Sequence, residues 1–346
     1  MAAIRVLVTG AGSGVGNGIV KALRLSALET TIICCDSNPL SVGLFRADEA
    51  VIWPRVESPG AQEIIIASLN NLNIDVVLIG SEFDLAFFAA NRDTIEQETQ
   101  ARIIVSPETS IEIANDKWLT SEFLRKNGLP HAETMVPRDM EDAIATARDW
   151  GYPLMLKPRS GTSSRHVHVI DNEGSLRHLF PSVPIAMLQR LIDTPSRDLN
   201  NEYTCTVFKT GDEVIIGPFT ARRALRGGDS WTIEVDRFKK LHPVVLDIAR
   251  RLPIMATLNV QLIVTETGPV PFELNARFSG TTAVQAHFGF NTPEMAVRHY
   301  HLGETPAPAE IGKGMVFRYM DEVFVDDVLA ADIAAPLPTG ETHYWF

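Results

Sequence analysis

Glu273 and Asn275 sit two residues apart in a short, partly apolar run, and Arg277 follows two residues later. A carboxylate, a carboxamide and a guanidinium in that order suit one kind of chemistry. Hard oxygens hold a divalent cation, and a permanent forked cation holds an anionic oxygen group. An earlier run at 260–265 precedes them across a Thr-Gly-Pro break, so the two runs read as a hairpin with strands at 260–265 and 270–275. Side chains alternate along a strand, which puts Glu273 and Asn275 on one face and Phe272 and Leu274 on the other. With the turn near Thr267-Gly268, Gln261 falls opposite Glu273 and brings a third oxygen. Gln261, Glu273 and Asn275 are therefore candidate ligands for Mg2+, which takes one or two carboxylates and fills its octahedron with water and substrate phosphates. A surface hairpin with its polar face in water is the plain alternative.

A second constellation centres on Lys157. Pro158 disfavours the helical basin for the residue before it, so 150–158 reads as a strand on which Met155 and Lys157 share a face. An amine beside an apolar methionine suits a phosphate contact next to a purine pocket. The segment Arg159-Ser160-Gly161-Thr162-Ser163-Ser164-Arg165 is small and hydroxyl-rich, and its backbone amides can cradle anionic oxygens. It lacks the Gly-Lys-Ser/Thr of a Walker A loop, and a flexible hairpin would look the same. Upstream, 109–124 reads as one helix carrying Asn115-Asp116-Lys117-Trp118, with its lysine on the surface. Downstream, a strand at 185–192 carries Gln189, Arg190 and Leu191, and Glu202 opens the next from an exposed position suited to ribose hydroxyls. A strand at 214–219 runs into a stretch with Arg222 and Arg223 before Gly227-Gly228, read as an anion-gripping loop or a solvated turn.

These residues need a scaffold. Residues 4–8 form an apolar strand, followed by Thr9-Gly10-Ala11-Gly12-Ser13-Gly14-Val15-Gly16 and a helix to about residue 25, the opening unit of a doubly wound parallel sheet. Further strands fall at 31–36, 74–80 and 101–105. The glycine pattern resembles short-chain dehydrogenases, which carry a Tyr-x-x-x-Lys pair. The residues four beyond Tyr152, Tyr203, Tyr300 and Tyr319 are Leu156, Val207, Glu304 and Val323, so no such pair exists here. The glycines then serve a tight turn and close helix packing, or wall part of another substrate site. Ser81-Glu82-Phe83-Asp84 follows the third strand and reads mainly as a helix cap.

The 346 residues are enough for two or three lobes, and a net charge of −12 argues against a nucleic-acid or anionic-membrane surface. No apolar run reaches the roughly 18–20 residues of a membrane span. Three cysteines, Cys34, Cys35 and Cys205, lack zinc spacing, and a reduced cytoplasmic setting fits them. The histidines show no metal-site spacing, and the strand near the N-terminus leaves no room for a signal peptide.

As an ordered set, Asp116-Lys117, Tyr152-Pro153 through Lys157-Pro158, the small loop, Leu188-Gln189 with Glu202, and Gln261 with Glu273-Leu274-Asn275-Ala276-Arg277 resemble the ATP-grasp superfamily, in its carbamoyl-phosphate synthetase large-subunit flavour. The resemblance covers about 106–300. It implies an α/β fold, α+β in the grasp part: a Rossmann-like lobe at 1–105, a two-lobed ATP-grasp module at 106–305 whose small lobe spans about 130–190, and a C-terminal strand and tail at 306–346. It implies ATP with Mg2+, or Mn2+ in its place, small carboxylate and amine (or thiol) substrates, and commonly a homodimer. By it, Lys117 and Lys157 contact phosphates and the loop of Ser160, Gly161, Thr162, Ser163 and Ser164 folds over them. Adenine lies between Met155 and Leu274 against the backbone of Gln189, Arg190 and Leu191, and Glu202 holds the ribose. Gln261, Glu273 and Asn275 surround the metal, Arg277 faces the transferred phosphoryl group, and Arg222 and Arg223 grip the anionic substrate. Ala276 stands where many members have proline. The implied activity is an acyl-phosphate ligase. Carbamoyl-phosphate-like chemistry and an inactive nucleotide-binding regulator are the alternatives.

Overall fold

The computed structural model describes residues 3–161, 166–192, 202–329, 333 and 342–343. Thr162, Ser163 and Ser164 of the expected phosphate loop and Tyr344-Trp345-Phe346 of the tail lie outside the described residues. The chain begins with β1 (Ile4–Val8), α1 (Gly14–Arg24), β2 (Thr30–Asp36), β3 (Glu49–Ile52), α2 (Ala61–Asn71), β4 (Val76–Leu78), α3 (Leu85–Glu98) and β5 (Arg102–Ile104). The five strands form one parallel sheet in the order β3-β2-β1-β4-β5. Parallel strands covered on both faces read as continuous apolar runs, and Val6, Leu7, Val8, Ile32, Ile33 and Cys34 are all fully buried. The turn glycines serve packing. A Cβ on Gly16 would meet the Gly10 carbonyl oxygen at 2.3 Å, and one on Gly80 would meet that of Thr9 at 2.3 Å. Asp36, at the end of β2, takes the Gly12 amide at 2.7 Å.

A second unit follows with α4 (Glu108–Asn115), α5 (Lys117–Lys126), β6 (Thr134–Met135), α6 (Met140–Trp150), β7 (Leu154–Pro158), β8 (His168–Ile170), α7 (Glu173–Leu179) and β9 (Ala186–Arg190). Its strands make an antiparallel sheet ordered β6-β9-β7-β8, with α6 and α7 on its apolar face. The single helix expected at 109–124 is broken at Asp116. That residue is extended, and its carboxylate accepts from the amides of Trp118 and Leu119, ending one helix and capping the next. Lys117 thus occupies the first position of α5 instead of a helix flank.

The largest sheet is built from β10 (Glu202–Lys209), β11 (Ile215–Arg226), β12 (Asp229–Val235), β13 (Ala256–Thr265), β14 (Gly268–Asn275) and β15 (Gly314–Phe317), with α8 (His242–Arg251), α9 (Thr282–His287) and α10 (Thr292–Tyr300) interspersed. Its order is β14-β13-β10-β11-β12-β15. A small pair, β16 (Phe324–Val325) and β17 (Thr342–His343), lies beyond it. One face of the large sheet packs Tyr203, Cys205, Val260, Leu262 and Leu274 onto α8 in a closed core. Farther along, Phe208, Phe219 and Phe290 share a core with Val6, Val8 and Ile19 of the first unit, which ties the parallel sheet to the large one.

Two expectations fail on this sheet for one reason. The expected loop at 220–230 is the continuation of β11 and its hairpin into β12. Neighbouring residues in a strand face opposite ways, so Arg222 and Arg223 cannot both grip one ligand. Arg222 faces away, its Nε donating to Glu234 at 2.7 Å and its guanidinium lying 5.9 Å from the Phe238 ring. Leu274 is fully buried on the α8 side and does not flank a ligand. Replacing a fully buried leucine by alanine costs about 2–5 kcal/mol. Leu274→Ala is expected to lose that much in urea denaturation, and a loss under about 1 kcal/mol would contradict its place in the core.

Candidate active site

Where the three sheets meet there is a cavity of about 560 Å3. The large sheet supplies its floor through the face opposite α8. Register sets that floor: Thr204 pairs with Gln261, Gln261 with Glu273, and Asn259 with Asn275. The sequence-based hairpin is therefore correct in its pairing. A bulge interrupts it, because Gln261 and Leu262 are consecutive while their partners are Glu273 and Pro271. Phe272 is the extra residue, and it joins Glu273 in lining the cavity instead of pointing away. Phe272, missed in the sequence, takes the apolar wall position expected of Leu274. Pro271 was the available signal, since proline within a strand marks an edge or a bulge.

Most expected residues converge here. Lys117, Met155, Lys157, Gly161, Arg190, Leu191, Glu202, Arg223, Gln261, Glu273, Asn275 and Arg277 all line the cavity. Ser160 is exposed beside Gly161 and is not in the lining. Gln189 also stays out. It is buried, and its Oε1 accepts from Lys157 Nζ at 2.9 Å while its Nε2 donates to Thr134 at 2.9 Å, so it aims the lysine. Burial pushes the Lys157 amine down to about 8; nearby Lys117 acts in the same direction, against the attraction of Glu273. Lys117 Nζ donates to the Gly161 carbonyl at 2.9 Å, and Arg159 pairs with the capping carboxylate of Asp116. These contacts bind the start of α5 to the end of β7.

Arg223 is the hub of the floor. Its Nη2 donates to Glu202 at 2.7 Å and to Gln261 Oε1 at 2.7 Å, and its Nη1 donates to Ser230 at 3.1 Å. A guanidinium only donates, so the oxygen of Gln261 must be the atom facing it. Arg223 takes one lone pair of the Gln261 oxygen that was expected to reach a metal, and the amide nitrogen is left for the cavity. Glu273 and Asn275 are different. Asn275 Nδ2 donates to Glu273 Oε1 at 3.1 Å, and Glu273 Oε2 and Asn275 Oδ1 meet no donor among the described residues. Two unspent hard oxygens facing one cavity fit a Mg2+ whose remaining positions are water and phosphate. Among the described residues no group of three His, Cys, Asp or Glu could hold a metal, so the pair offers one carboxylate.

The first unit closes the far end. Ser13, Gly14 and Val15 at the start of α1 and Gly80, Ser81, Glu82 and Phe83 after β4 line the cavity, together with Ser279, Gly280, Thr281 and Arg318. Arg277 Nη2 lies 3.4 Å from Glu82, an ion pair across the two units.

Comparison with known proteins follows the same division. A family described as "ATP-grasp in the biosynthetic pathway with Ter operon" matches residues 199–323, and the "PylC-like, N-terminal domain" family matches 6–103. Residues 199–323 thus resemble an ATP-grasp domain. It is 25% identical over 196 residues to the carbamoyl phosphate synthase large chain of Thermus thermophilus, covering 54% of this chain and only 19% of that protein. In fold it is similar to N5-carboxyaminoimidazole synthetase from Staphylococcus aureus, solved with ADP, with a TM-score of 0.70, 13% identity and coverage of 89% of this chain and 80% of that one. Biotin carboxylase from Campylobacter jejuni, solved as a β-γ-ATP complex, gives a TM-score of 0.71 at 16% identity, covering 90% and 74%. The mixed parallel and antiparallel architecture of those enzymes is the architecture of this chain. No helix among the described residues is long and apolar enough to cross a membrane.

The cavity thus holds a buried amine whose charge is costly. Lys157 is expected to titrate near 8 in side-chain NMR of the ligand-free protein, and Lys117→Met to move that midpoint upward by removing a neighbouring cation. A midpoint near the ordinary 10.5 would contradict the burial. Between about 8 and 10.5 the unfolded chain holds a proton that the folded one lacks, so Lys157 makes stability rise with pH across that window.

Proposed function

We propose that the chain is an ATP-dependent ligase that phosphorylates a small carboxylate and joins the resulting acyl phosphate to an amine or thiol, releasing ADP and phosphate. One observation carries the reading: the buried amine of Lys157 and the unspent oxygens of Glu273 and Asn275 face one cavity. An amine and a carboxylate held close in that way suit a triphosphate and its counter-ion. We take the units as 1–105, 106–305 and 306–346, with small metabolites as substrates.

A carboxylate resists amine attack because it is anionic and its oxygen leaves poorly. Phosphorylation supplies a leaving group, and catalysis is then positioning and charge neutralisation. Lys157, held by Gln189, and Lys117, at the start of α5, contact the phosphates. Met155 and Phe272 flank the adenine, with Leu191 and Arg190 along its edge. Glu202, braced by Arg223, accepts from the ribose. Arg277 faces the phosphoryl group in transfer, and its tie to Glu82 sets it against the first unit, where the acceptor binds. Mg2+, when held by Glu273 and Asn275, supplies charge neutralisation at the phosphates. The amide nitrogen of Gln261 donates to an anionic oxygen. Closure of the β7–β8 side over the ligand excludes water from the acyl phosphate.

The match to a carbamoyl phosphate synthase large chain favours a second reading, in which bicarbonate or carbamate is the acid activated. ADP release that rises with bicarbonate alone would select it.

The test is incubation with ATP, Mg2+ and pools of carboxylic acids and amines, following ADP, AMP, phosphate and pyrophosphate. ADP with phosphate, dependent on particular substrate pairs, is the expected outcome, whereas pyrophosphate would point to adenylation. Glu273→Gln keeps the shape but removes the charge, and is expected to lower kcat at least a hundredfold, about 2.7 kcal/mol of barrier, with the thermal midpoint little changed. Turnover within about threefold of wild type would contradict the metal assignment.

A further inference from the structure

Arg190, Arg223, Arg277 and Arg318 line the cavity, and the first three are paired with carboxylates, Arg190 with Glu133 at 2.6 Å. Arg223 serves Glu202, Gln261 and Ser230, and Arg277 pairs with Glu82 and donates to the Phe278 carbonyl. Arg318 differs. Its backbone amide is fixed to the Trp231 carbonyl at 2.9 Å, and its guanidinium donates to the Gly280 carbonyl, with no carboxylate in ion-pair range among the described residues. The guanidinium is partly buried and desolvated, and the attraction of Asp229 does not offset that, so its charge lacks a close counter-ion.

The start of α1 stands at the same corner. Ser13 is its cap. The Ser13 Oγ accepts from Gly16 and its carbonyl from Asn17, which leaves the amides of Gly14 and Val15 without an acceptor among the described residues. Both residues line the cavity. The helix is held there by α9: a Cβ on Gly18 would lie 3.8 Å from the Ser279 carbonyl oxygen, one residue before the carbonyl that Arg318 grips. The intervening loop is fixed, because the buried Gln285 Nε2 donates to the hydroxyls of Ser279 and Thr281 at 3.0 Å each. Lys21, farther along α1, is pushed down by burial and then by Arg46 and Arg318, so cations crowd this corner of a chain whose net charge is −12. A helix start with free amides and an unneutralised guanidinium both favour an anion, and each strengthens the case for the other.

We propose that this corner is a second anion subsite, and that the acid activated by the enzyme carries a further anionic group, a carboxylate or a phosphate, bound by Arg318 and the amides of Gly14 and Val15. The inference rests on the ligase reading for the phrase "acid activated", while the subsite itself stands on the corner's own geometry. The acceptor then carries two anionic groups, a dianion in that sense, one end meeting Arg277 and the nucleotide and the other meeting the first unit. The Rossmann-like sheet thereby acts as the specificity wall of the reaction.

The test compares butyrate, succinate and 3-phosphoglycerate as probes in calorimetric titrations of the full chain, with and without Mg2+ and a non-hydrolysable ATP analogue. At least one dianion is expected to bind at least tenfold more tightly than butyrate, and which of the two does so names the anionic group. Arg318→Gln and, separately, Gly14→Pro are expected to weaken that dianion at least fivefold while the analogue's Kd stays within twofold. The proline variant removes one donor from a position that tolerates it. Ser13 already has φ −82° and ψ 158°, as a residue before proline requires, and nothing lies within 4 Å of a Cβ on Gly14. Dianions no tighter than butyrate, or affinities unchanged in both variants, would overturn the subsite. Failure of the wild type to bind the analogue would instead sink the ligase reading, and the titrations without nucleotide would still decide the subsite.

Discussion

The site depends on a register. Antiparallel pairing sets Gln261 opposite both Thr204 and Glu273, and Asn259 opposite Asn275, so one face of the large sheet is polar across three strands. The other face is largely apolar and closed by α8, with the buried Lys209 donating to the Ala249 carbonyl of that helix. A slip of one residue would exchange the two faces, burying carboxylates in the core and exposing leucines to the cavity. Burial of Val260, Leu262 and Leu274 on the core face therefore holds the polar face in place.

 Leu274 itself is fully buried there, which makes the core the device that keeps Glu273 and Asn275 turned toward the ligand space.

Around that floor the charges are arranged so that few cations are left free. Gln189 orients Lys157, Asp116 both caps α5 and pairs with Arg159, and Arg223 braces Glu202 and Gln261 together. A buried cation is costly unless it is paired or hydrogen-bonded. Lys157 has a hydrogen bond but, among the described residues, no ion pair, and its lowered titration point reflects the cost. An anionic ligand would relieve that cost, which is how a chain of net charge −12 can still attract a polyphosphate locally.

Much of this was legible in the sequence, and the failures have physical causes. Alternation and the Thr-Gly-Pro break were enough to place Gln261 opposite Glu273, and the proline after Lys157 was enough to make its segment a strand. Periodicity could not reveal the bulge at Phe272, which shifts a single side chain and leaves the flanking pattern intact. Nor could it show that β11 runs on through Arg222 and Arg223, because a strand ending in arginines and glycines has the composition of a loop. The break at Asp116 was readable in principle, since an aspartate before a helical run is a capping signal, but the apolar spacing on both sides suggested one continuous helix. The glycine turn before α1 could be read as a wall of a substrate site, but nothing local pairs it with Arg318. Their meeting is a product of how the parallel sheet docks on the large one, through Phe208, Phe219 and Val6 in a shared core.

The central claim is that this chain binds a nucleotide triphosphate over the polar face of its large sheet, and not at the glycine turn of its first unit. The most direct measurement is a crystal structure of the full chain with Mg2+ and a non-hydrolysable ATP analogue. The account predicts phosphates against Lys117 and Lys157, the ion on Glu273 and Asn275, and the base between Met155 and Phe272. A nucleotide seated on the Gly10–Gly16 turn beside Asp36, with Glu273 and Asn275 contacting only water, would contradict it.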